Sequence, residues 1–396
     1  MANINKKMEN LGKVRSVIRE TFEYGNKRAK EIGRENVYDF SLGNPSVPAP
    51  KELDSEICRL LSGDTLPVHG YTSAQGAEPT RQAIASDINK RFNAGVDKDD
   101  IYMTCGAAAS LTISLNALCN EGDEVIIFAP FFPEYRVFIE NAGAVPVIIP
   151  ADTKKFQIDF DAFEKAITAK TKAVIINTPN NPTGVVLSES TVNRLCDMLK
   201  AKSEERGEPI YLISDEPYRE LVYDGETTVP YLTNCYDCTL VCYSFSKSLS
   251  LPGDRIGYIV VCNKMPDNRD IYAAVCGAGR SLGYVCAPSL MQKAIMPMLG
   301  KTSDISVYKE NRDLLYNTLT EYGFECAYPD GAFYLFMKSP IEDAQEFCEK
   351  AKEFDILLVA SDSFGCPGYV RISYCVSTDM IKRSLPAFKK LADCYK

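Results

Sequence analysis

The chain has 396 residues, 45% of them apolar and 24% charged, with a formal net charge of −9; this is ordinary soluble globular composition, and the length allows a large domain with a smaller companion. The acidic balance argues against nucleic acid as the main partner, and no apolar run is long enough to span a bilayer. His69 is the single histidine, which excludes multi-histidine metal sites; a histidine-based triad would also need a GxSxG elbow, and the chain has none.

The N-terminal segment carries basic residues but neither the apolar core nor the cleavage pattern of a signal peptide, so the cytoplasm is the expected compartment. An amphipathic helix is predicted over 12–32, followed by a strand in "VYDFSL" (37–42). From residue 101 onward, apolar β-type runs alternate with helical patterns. The runs are "IYMTC" (101–105), "EVIIFAP" (124–130), "VPVIIPA" (145–151), "AVIINTP" (173–179), "IYLISDEPY" (210–218), "TLVCYSF" (239–245) and "RIGYIVVC" (255–262). The stretch "ESTVNRLCDMLKAKSEERG" (189–207) is amphipathic and of helical length. Such alternation predicts an α/β fold with a mostly parallel sheet flanked by helices. After residue 285 the pattern changes. A helical stretch over 288–322 leads to "AFYLFMK", "ILLVAS" and "YVRISYC", which read as a smaller α+β lobe that the N-terminal segment should join. The expected organisation is a large domain over 49–299 and a small domain made of 1–48 and 300–396.

The 15 cysteines are odd in number and scattered, many in apolar runs (Cys242, Cys262, Cys375), as expected of reduced core residues. The tightest group, "CYDCTLVC" (235–242), lacks a fourth zinc ligand, and no second CxxC exists; no metal is expected. "GAGRSLG" (277–283) has the wrong glycine spacing for a dinucleotide loop, and "GKT" (300–302) lacks the first glycine of a phosphate loop, since Ile295 stands there. Chemistry must therefore rest on lysine, carboxylates, tyrosine or a cofactor.

Four clusters fall at the C-terminal ends of predicted strands, where open α/β sheets bind ligands: "TCGAAAS" (104–110), "NTPNNPTG" (177–184), "SDEPYREL" (214–221) and "SFSKSLSLPGDRIGY" (244–258). Singly each has a plain structural reading, as a turn, a helix cap or a solvated lysine. Together and in this order they resemble the pyridoxal-phosphate-dependent aminotransferases of fold type I, in the class I/II group that includes aspartate aminotransferase. The resemblance runs over nearly the whole chain, from "FSLGNPSVPAP" to "VRISYCVS".

The resemblance implies pyridoxal 5'-phosphate as cofactor and a role for each matching position. Lys247 would bind the cofactor aldehyde and then move the proton, with desolvation and the nearby Arg255 cation freeing its amine. Asp215 would pair with the pyridine nitrogen, and Tyr218 and Asn181 with the phenolic oxygen. Ser244, Ser246 and Arg255 would hold the phosphate together with the helix N-terminus at Gly106, Ala107 and Ala108. Phe132 would stack on the ring, where many relatives carry tryptophan or tyrosine. Arg371 would grip the substrate α-carboxylate as a fork, with Gly43 beside it. Tyr71 would reach the cofactor phosphate of the other subunit, which implies a homodimer with shared sites.

The implied reaction is ping-pong transfer of an amino group between an L-amino acid and a 2-oxo acid. Carbon–sulfur β-lyases and aminocyclopropane-carboxylate synthases share most of these motifs and stand as alternatives. A ligand-sensing regulator on the same fold is a third, although only about 45 residues precede the sheet, too few for a helix-turn-helix domain. The substrate side chain is not named by any motif. By position alone Arg280, in a glycine-rich stretch that reads as a loop, falls near the arginine with which acidic-substrate members hold a distal carboxylate across the subunit boundary. Its plain reading is an exposed or interface arginine.

Overall fold

The structure, a computed structural model, describes residues 3–13 and 16–396. Residues up to Asn44, Val307–Pro329 and Phe333–Lys396 form one compact unit, and Pro45–Ser306 with Asp330–Ala332 form a larger one. No helix among the described residues is long and apolar enough to cross a membrane.

In the smaller unit, β1 (Tyr38–Asp39) runs parallel to a strand from the far end of the chain, Ile356–Leu357. Only these two residues of "VYDFSL" form the strand, although the fully buried Phe40 beyond them still donates its N–H to the Leu357 carbonyl at 3.1 Å. The helix predicted over 12–32 is instead two helices, Lys6–Lys13 and Val17–Ile32. The second has its own start: the Ser16 side chain accepts from the Arg19 N–H, the usual service of a serine N-cap. Val14 and Arg15, within the predicted span, lie outside the described residues.

The larger unit is built on a seven-stranded sheet. Its strands are β2 (Ile101–Thr104), β3 (Glu124–Phe128), β4 (Val145–Ile149), β5 (Thr171–Asn177), β6 (Tyr211–Asp215), β7 (Thr239–Ser244) and β8 (Gly257–Val261), in the spatial order β2-β8-β7-β6-β5-β3-β4. β3, β4, β5, β6 and β7 pair in parallel, while β8 runs antiparallel to both neighbours, β7 and β2. The central strands are apolar on both faces, as a sheet covered by helices on both sides requires. The helical stretch predicted over 288–322 is broken into Ser289–Ala294, a short 3-10 turn at Met296–Met298, and Ser306–Glu321. Pro297 removes a helical donor and Gly300 turns the chain at φ +75°, so one continuous helix cannot form.

The smaller unit is completed by four antiparallel strands, β9 (Cys326–Ala327), β10 (Tyr334–Lys338), β12 (Val359–Ala360) and β13 (Tyr369–Ser373), with the Ile356–Leu357 partner of β1 as β11.

Gly257 opens β8 and is wedged between two neighbouring strands, opposite Ser244 of β7 and Thr104 of β2. A Cβ there would collide with the Tyr243 carbonyl and come within 3.0 Å of the Gly106 Cα. Both obstacles are backbone and neither can rotate away. Gly257→Ala should therefore cost about 1–3 kcal/mol, the usual penalty of overpacking, read as a lower urea midpoint at unchanged m-value.

Candidate active site

Strand register brings the clusters to one edge of the larger sheet. Asn177, the last residue of β5, lies opposite Asp215, the last of β6, and Asp215 lies opposite Cys242 in β7. Ser244 ends β7 opposite Gly257, and Thr104 ends β2 opposite the same glycine. Because β8 is antiparallel, its beginning falls where the parallel strands finish, and the loop holding Arg255 is delivered to that edge.

Asp215 has a buried oxygen left unsatisfied there. The apolar strand "YLISD" carries its carboxyl into a fully buried position. The Tyr135 hydroxyl donates to Oδ2 at 2.5 Å, and Oδ1 has no hydrogen-bond partner among the described residues. Burial pushes the carboxyl up to about 7; the Tyr135 hydrogen bond opposes this, and the neighbouring Glu216 carboxylate adds to it. Glu216, next in sequence, meets different partners: Ser214 Oγ donates to Oε1 at 2.6 Å and Arg219 Nε to Oε2 at 2.5 Å. Arg219 also donates to the Val229 and Pro230 carbonyls, both at 3.0 Å. Of two consecutive buried carboxylates, Glu216 receives a cation and Asp215 a neutral phenol.

The turn after β5 is organised by Asn177. Its Nδ2 donates to the Asp215 carbonyl at 2.8 Å, and its Oδ1 accepts the Asn181 N–H at 2.7 Å. Asn181 is thereby tied to the strand end that carries Asp215. Asn180 shapes the rest of the turn, its Oδ1 accepting both the N–H and the hydroxyl of Thr183. Tyr218, three residues beyond Asp215, is buried and close enough to Tyr135 to bear on its ionisation.

Lys247 sits half-buried on a four-residue helix, Phe245–Ser248, that follows β7 directly. Ser244 caps that helix, its Oγ accepting the Ser246 N–H at 3.1 Å, and the two serine hydroxyls lie 2.6 Å apart. From below, the Tyr243 and Ser248 hydroxyls share a 2.9 Å hydrogen bond, and the Ser303 N–H donates to the Ser248 carbonyl at 2.7 Å. Lys247 is thus carried on a short segment fixed at both ends.

Gly106 begins the helix Ala107–Leu118 at φ +90°, a conformation that favours glycine. The Arg255 guanidinium lies against it: Nη2 would stand 3.0 Å from a Cβ at position 106. The first-turn N–H groups of this helix, including those of Ala107 and Ala108, have no intrahelical acceptor by geometry, so they and Arg255 together present donors and positive charge of the kind an anion needs. Arg255 is exposed and its Nη1 donates to the Pro252 carbonyl at 2.8 Å. Phe132 is half-buried and edge-on to Tyr135, 5.8 Å between ring centres, whereas its neighbour Phe131 is the one sunk into the core.

Two expected residues stand apart from this edge. Tyr71 follows the short helix Leu66–His69 and is 94% exposed. Arg280 is not on a loop: it lies exposed in the last turn of the helix Asn268–Ser281. The glycine that suggested a loop has another use, since a side chain at Gly279 would strike the Tyr102 hydroxyl, and the turn comes only at Gly283, φ +82°.

In the smaller unit, Arg371 lies on β13, 2% exposed, between Phe336 of β10 and Val359 of β12. Its guanidinium faces the rings of Tyr334 (4.7 Å) and Phe364 (5.2 Å), and Nη2 donates to the Ser41 carbonyl at 2.6 Å. Gly43 lies against the same Tyr334, whose hydroxyl fills the space a Cβ would need. Arg371 and Gly43 thus share one small cluster. Tyr135, Asn177, Glu216 and Arg219 were not anticipated. Asn177, Glu216 and Arg219 stand inside motifs already quoted, whereas Tyr135 lies in none of them and meets its partner across 80 residues of sequence.

Fold and site together define an α/β protein with a lysine, a buried carboxylate and a helix N-terminus facing an arginine at one sheet edge. The family described as aminotransferase class I and II matches residues 34–388. The chain belongs to that family and is an aminotransferase. It is 58% identical to an amino transferase from Eubacterium rectale of known crystal structure, with a TM-score of 0.98 and all of both chains covered. It is 32% identical to the aspartate aminotransferase of Thermotoga maritima, over 89% of this chain and 90% of that protein. A probable aspartate aminotransferase of Methanocaldococcus jannaschii is 30% identical over 95% of this chain and 96% of its own length.

The raised Asp215 value has a measurable consequence in the cofactor-free protein. A carboxyl that titrates near 7 when folded, against an ordinary 3.8, favours folding while protonated and loses that contribution as pH rises from about 4 to 8. The loss amounts to about 4 kcal/mol at 1.36 kcal/mol per unit. Asp215→Asn lacks this titration. Urea denaturation of both cofactor-free proteins should show the asparagine variant gaining about that much relative to wild type between pH 4 and pH 8.

Proposed function

We propose that pyridoxal 5'-phosphate is the cofactor of this aminotransferase and that the larger unit is its cofactor-binding domain. An L-amino acid and a 2-oxo acid would exchange the amino group in two successive half-reactions. The observation that carries this reading is the buried Asp215 Oδ1, which lacks a partner at the sheet edge that also presents Lys247. A protonated ring nitrogen would supply the missing donor. The corner at Gly106 and Arg255 fits a phosphate.

When bound, the cofactor's pyridinium ring draws off the electron pair left on the substrate α-carbon. The chain's residues do the rest. Lys247 would hold the cofactor aldehyde through its amine and would serve as the base that takes the substrate α-proton. Asp215 holds the proton at the ring nitrogen. Asn181 and Tyr218 hydrogen-bond the phenolic oxygen. Ser244, Ser246, Arg255 and the N–H groups at Gly106, Ala107 and Ala108 hold the phosphate, and Phe132 covers one face of the ring.

Arg371 takes the substrate α-carboxylate as a two-point fork, with Gly43 beside it; its flat setting against Tyr334 and Phe364 supports that use. Tyr71 completes the phosphate contacts of a second copy, which makes the working protein a homodimer; its 94% exposure supports a partner outside its own chain. Arg280, also exposed, is proposed for the distal carboxylate of an acidic substrate, a reading supported by relatives named aspartate aminotransferase. The cytoplasm is proposed as the compartment; the odd count of 15 scattered cysteines supports reducing surroundings.

Lys247→Ala should keep its fold and lose both the long-wavelength absorbance that added pyridoxal phosphate gives the wild-type protein and, by many orders of magnitude, amino transfer. A wild-type protein that gains no such absorbance would overturn the reading. Mixing Tyr71→Ala and Lys247→Ala subunits should restore part of the activity, because each heterodimer would hold one site free of both lesions. No recovery after verified subunit exchange would place Tyr71 outside a shared site.

A further inference from the structure

A carboxylate at the end of a strand can swing about its terminal bond, and a half-turn exchanges its two oxygens. At Asp215 that freedom is removed by Tyr135, a residue on the helix Glu134–Asn141, whose hydroxyl donates to Oδ2 at 2.5 Å. Tyr135 is itself 2% exposed, so the phenol has no alternative partner in solvent. With one oxygen pinned, the other is left buried and without a partner among the described residues. We propose that Tyr135 is the positioning residue for the cofactor's ring nitrogen: its phenol fixes one oxygen of Asp215 so that the other is presented, charged and pre-aimed, to the ring N–H. This rests on the reading that pyridoxal phosphate is the cofactor.

The choice of a phenol has chemical content. A cation at this position would satisfy the charge of Asp215 and remove its demand for a proton at the ring. A phenol donates one hydrogen bond, steadies the ionised carboxylate and leaves its net charge uncompensated. Burial, reinforced by the Asp215 carboxylate, raises the Tyr135 phenol well above its ordinary range, so it stays a donor at any working pH. Three other groups bear on the pair. Cys242, across the strand from Asp215, is held as a neutral thiol by burial. Glu216 is tied to Arg219, and Tyr218 bears on Tyr135 from the loop beyond β6.

The test uses the cofactor-free protein and two probes: pyridoxal phosphate, and its analogue with the ring nitrogen replaced by a C–H group. Tyr135→Phe should bind pyridoxal phosphate on the order of tenfold more weakly, the loss of one hydrogen bond to a charged group. It should bind the analogue as wild type does, because the analogue never uses the presented oxygen. In parallel, carbon NMR of labelled aspartate should show the Asp215 midpoint rising above its wild-type value of about 7. Equal weakening toward both probes, or an unchanged midpoint, would reduce Tyr135 to a packing role and overturn the proposal. If wild type bound neither probe, the cofactor reading would fail, and the Asp215 midpoint would still judge Tyr135. Should Tyr135→Phe not fold, fluorinated tyrosines at position 135 replace it. The Asp215 midpoint should then fall as the phenol becomes the stronger donor, and a constant midpoint would sink the proposal.

Discussion

Two consecutive carboxylates, Asp215 and Glu216, are buried at the end of a single strand, and a folded chain tolerates this only if each charge is dealt with separately. Asp215 ends β6 and Glu216 stands just beyond it, and the two meet different partners. Glu216 is closed off: Arg219 pairs with it, two backbone carbonyls hold Arg219, and the rings of Phe92 and Tyr231 lie 5.2 and 5.1 Å from the guanidinium. Asp215 is left open, with a phenol on one oxygen. The same strand therefore ends in one completed ion pair and one unfinished one, and the unfinished one faces the edge where Lys247 stands.

Much of the remaining architecture serves that edge. A purely parallel sheet would deliver only strand ends to it. Reversing β8 delivers a strand beginning as well, and with it the loop of Arg255, against the helix that Gly106 opens. The approach is possible only because both backbones are bare where they meet, at Gly106 and Gly257. Asn177 performs a similar service on the other side, linking the Asn181 turn to the carbonyl of Asp215. Lys247 rides on a short helix that is capped by the serine ending β7 and held at its far end by the Ser303 N–H.

Local sequence was a good guide where local chemistry decides the structure. The seven apolar runs of the larger sheet coincide with its strands, and Asp215, Lys247 and Gly106 could be placed at strand ends or a helix start because those ends are marked by turn and cap residues. It was a poor guide where one residue type serves two purposes. Gly279 reads as a loop glycine yet makes room for the Tyr102 hydroxyl, so Arg280 rides on a helix. Ser16 reads as a mid-helix serine yet starts a second helix. Tyr135 was invisible for a different reason. Its partner lies 80 residues away in sequence, and an aromatic run such as "APFFPEY" gives no sign of which ring carries a hydrogen bond and which only fills space.

The strand order also bears on how the molecule is made. β3 and β4 can pair as soon as both exist, and β5, β6, β7 and β8 then add one after another on the same side, each beside the strand completed before it. β2 is the exception: it leaves the ribosome before any of them, and its seat lies outside β8, the last to arrive. At synthesis rates of roughly 5–20 residues per second it waits on the order of ten seconds with four residues, all destined for burial, exposed. The helix after β2 opens at Gly106, which the Arg255 loop must reach, so this corner is the last part of the sheet edge to close. The corner at Gly106 therefore requires residues from both ends of the sheet's stretch of sequence, and a chain that lacks β8 has no seat for β2.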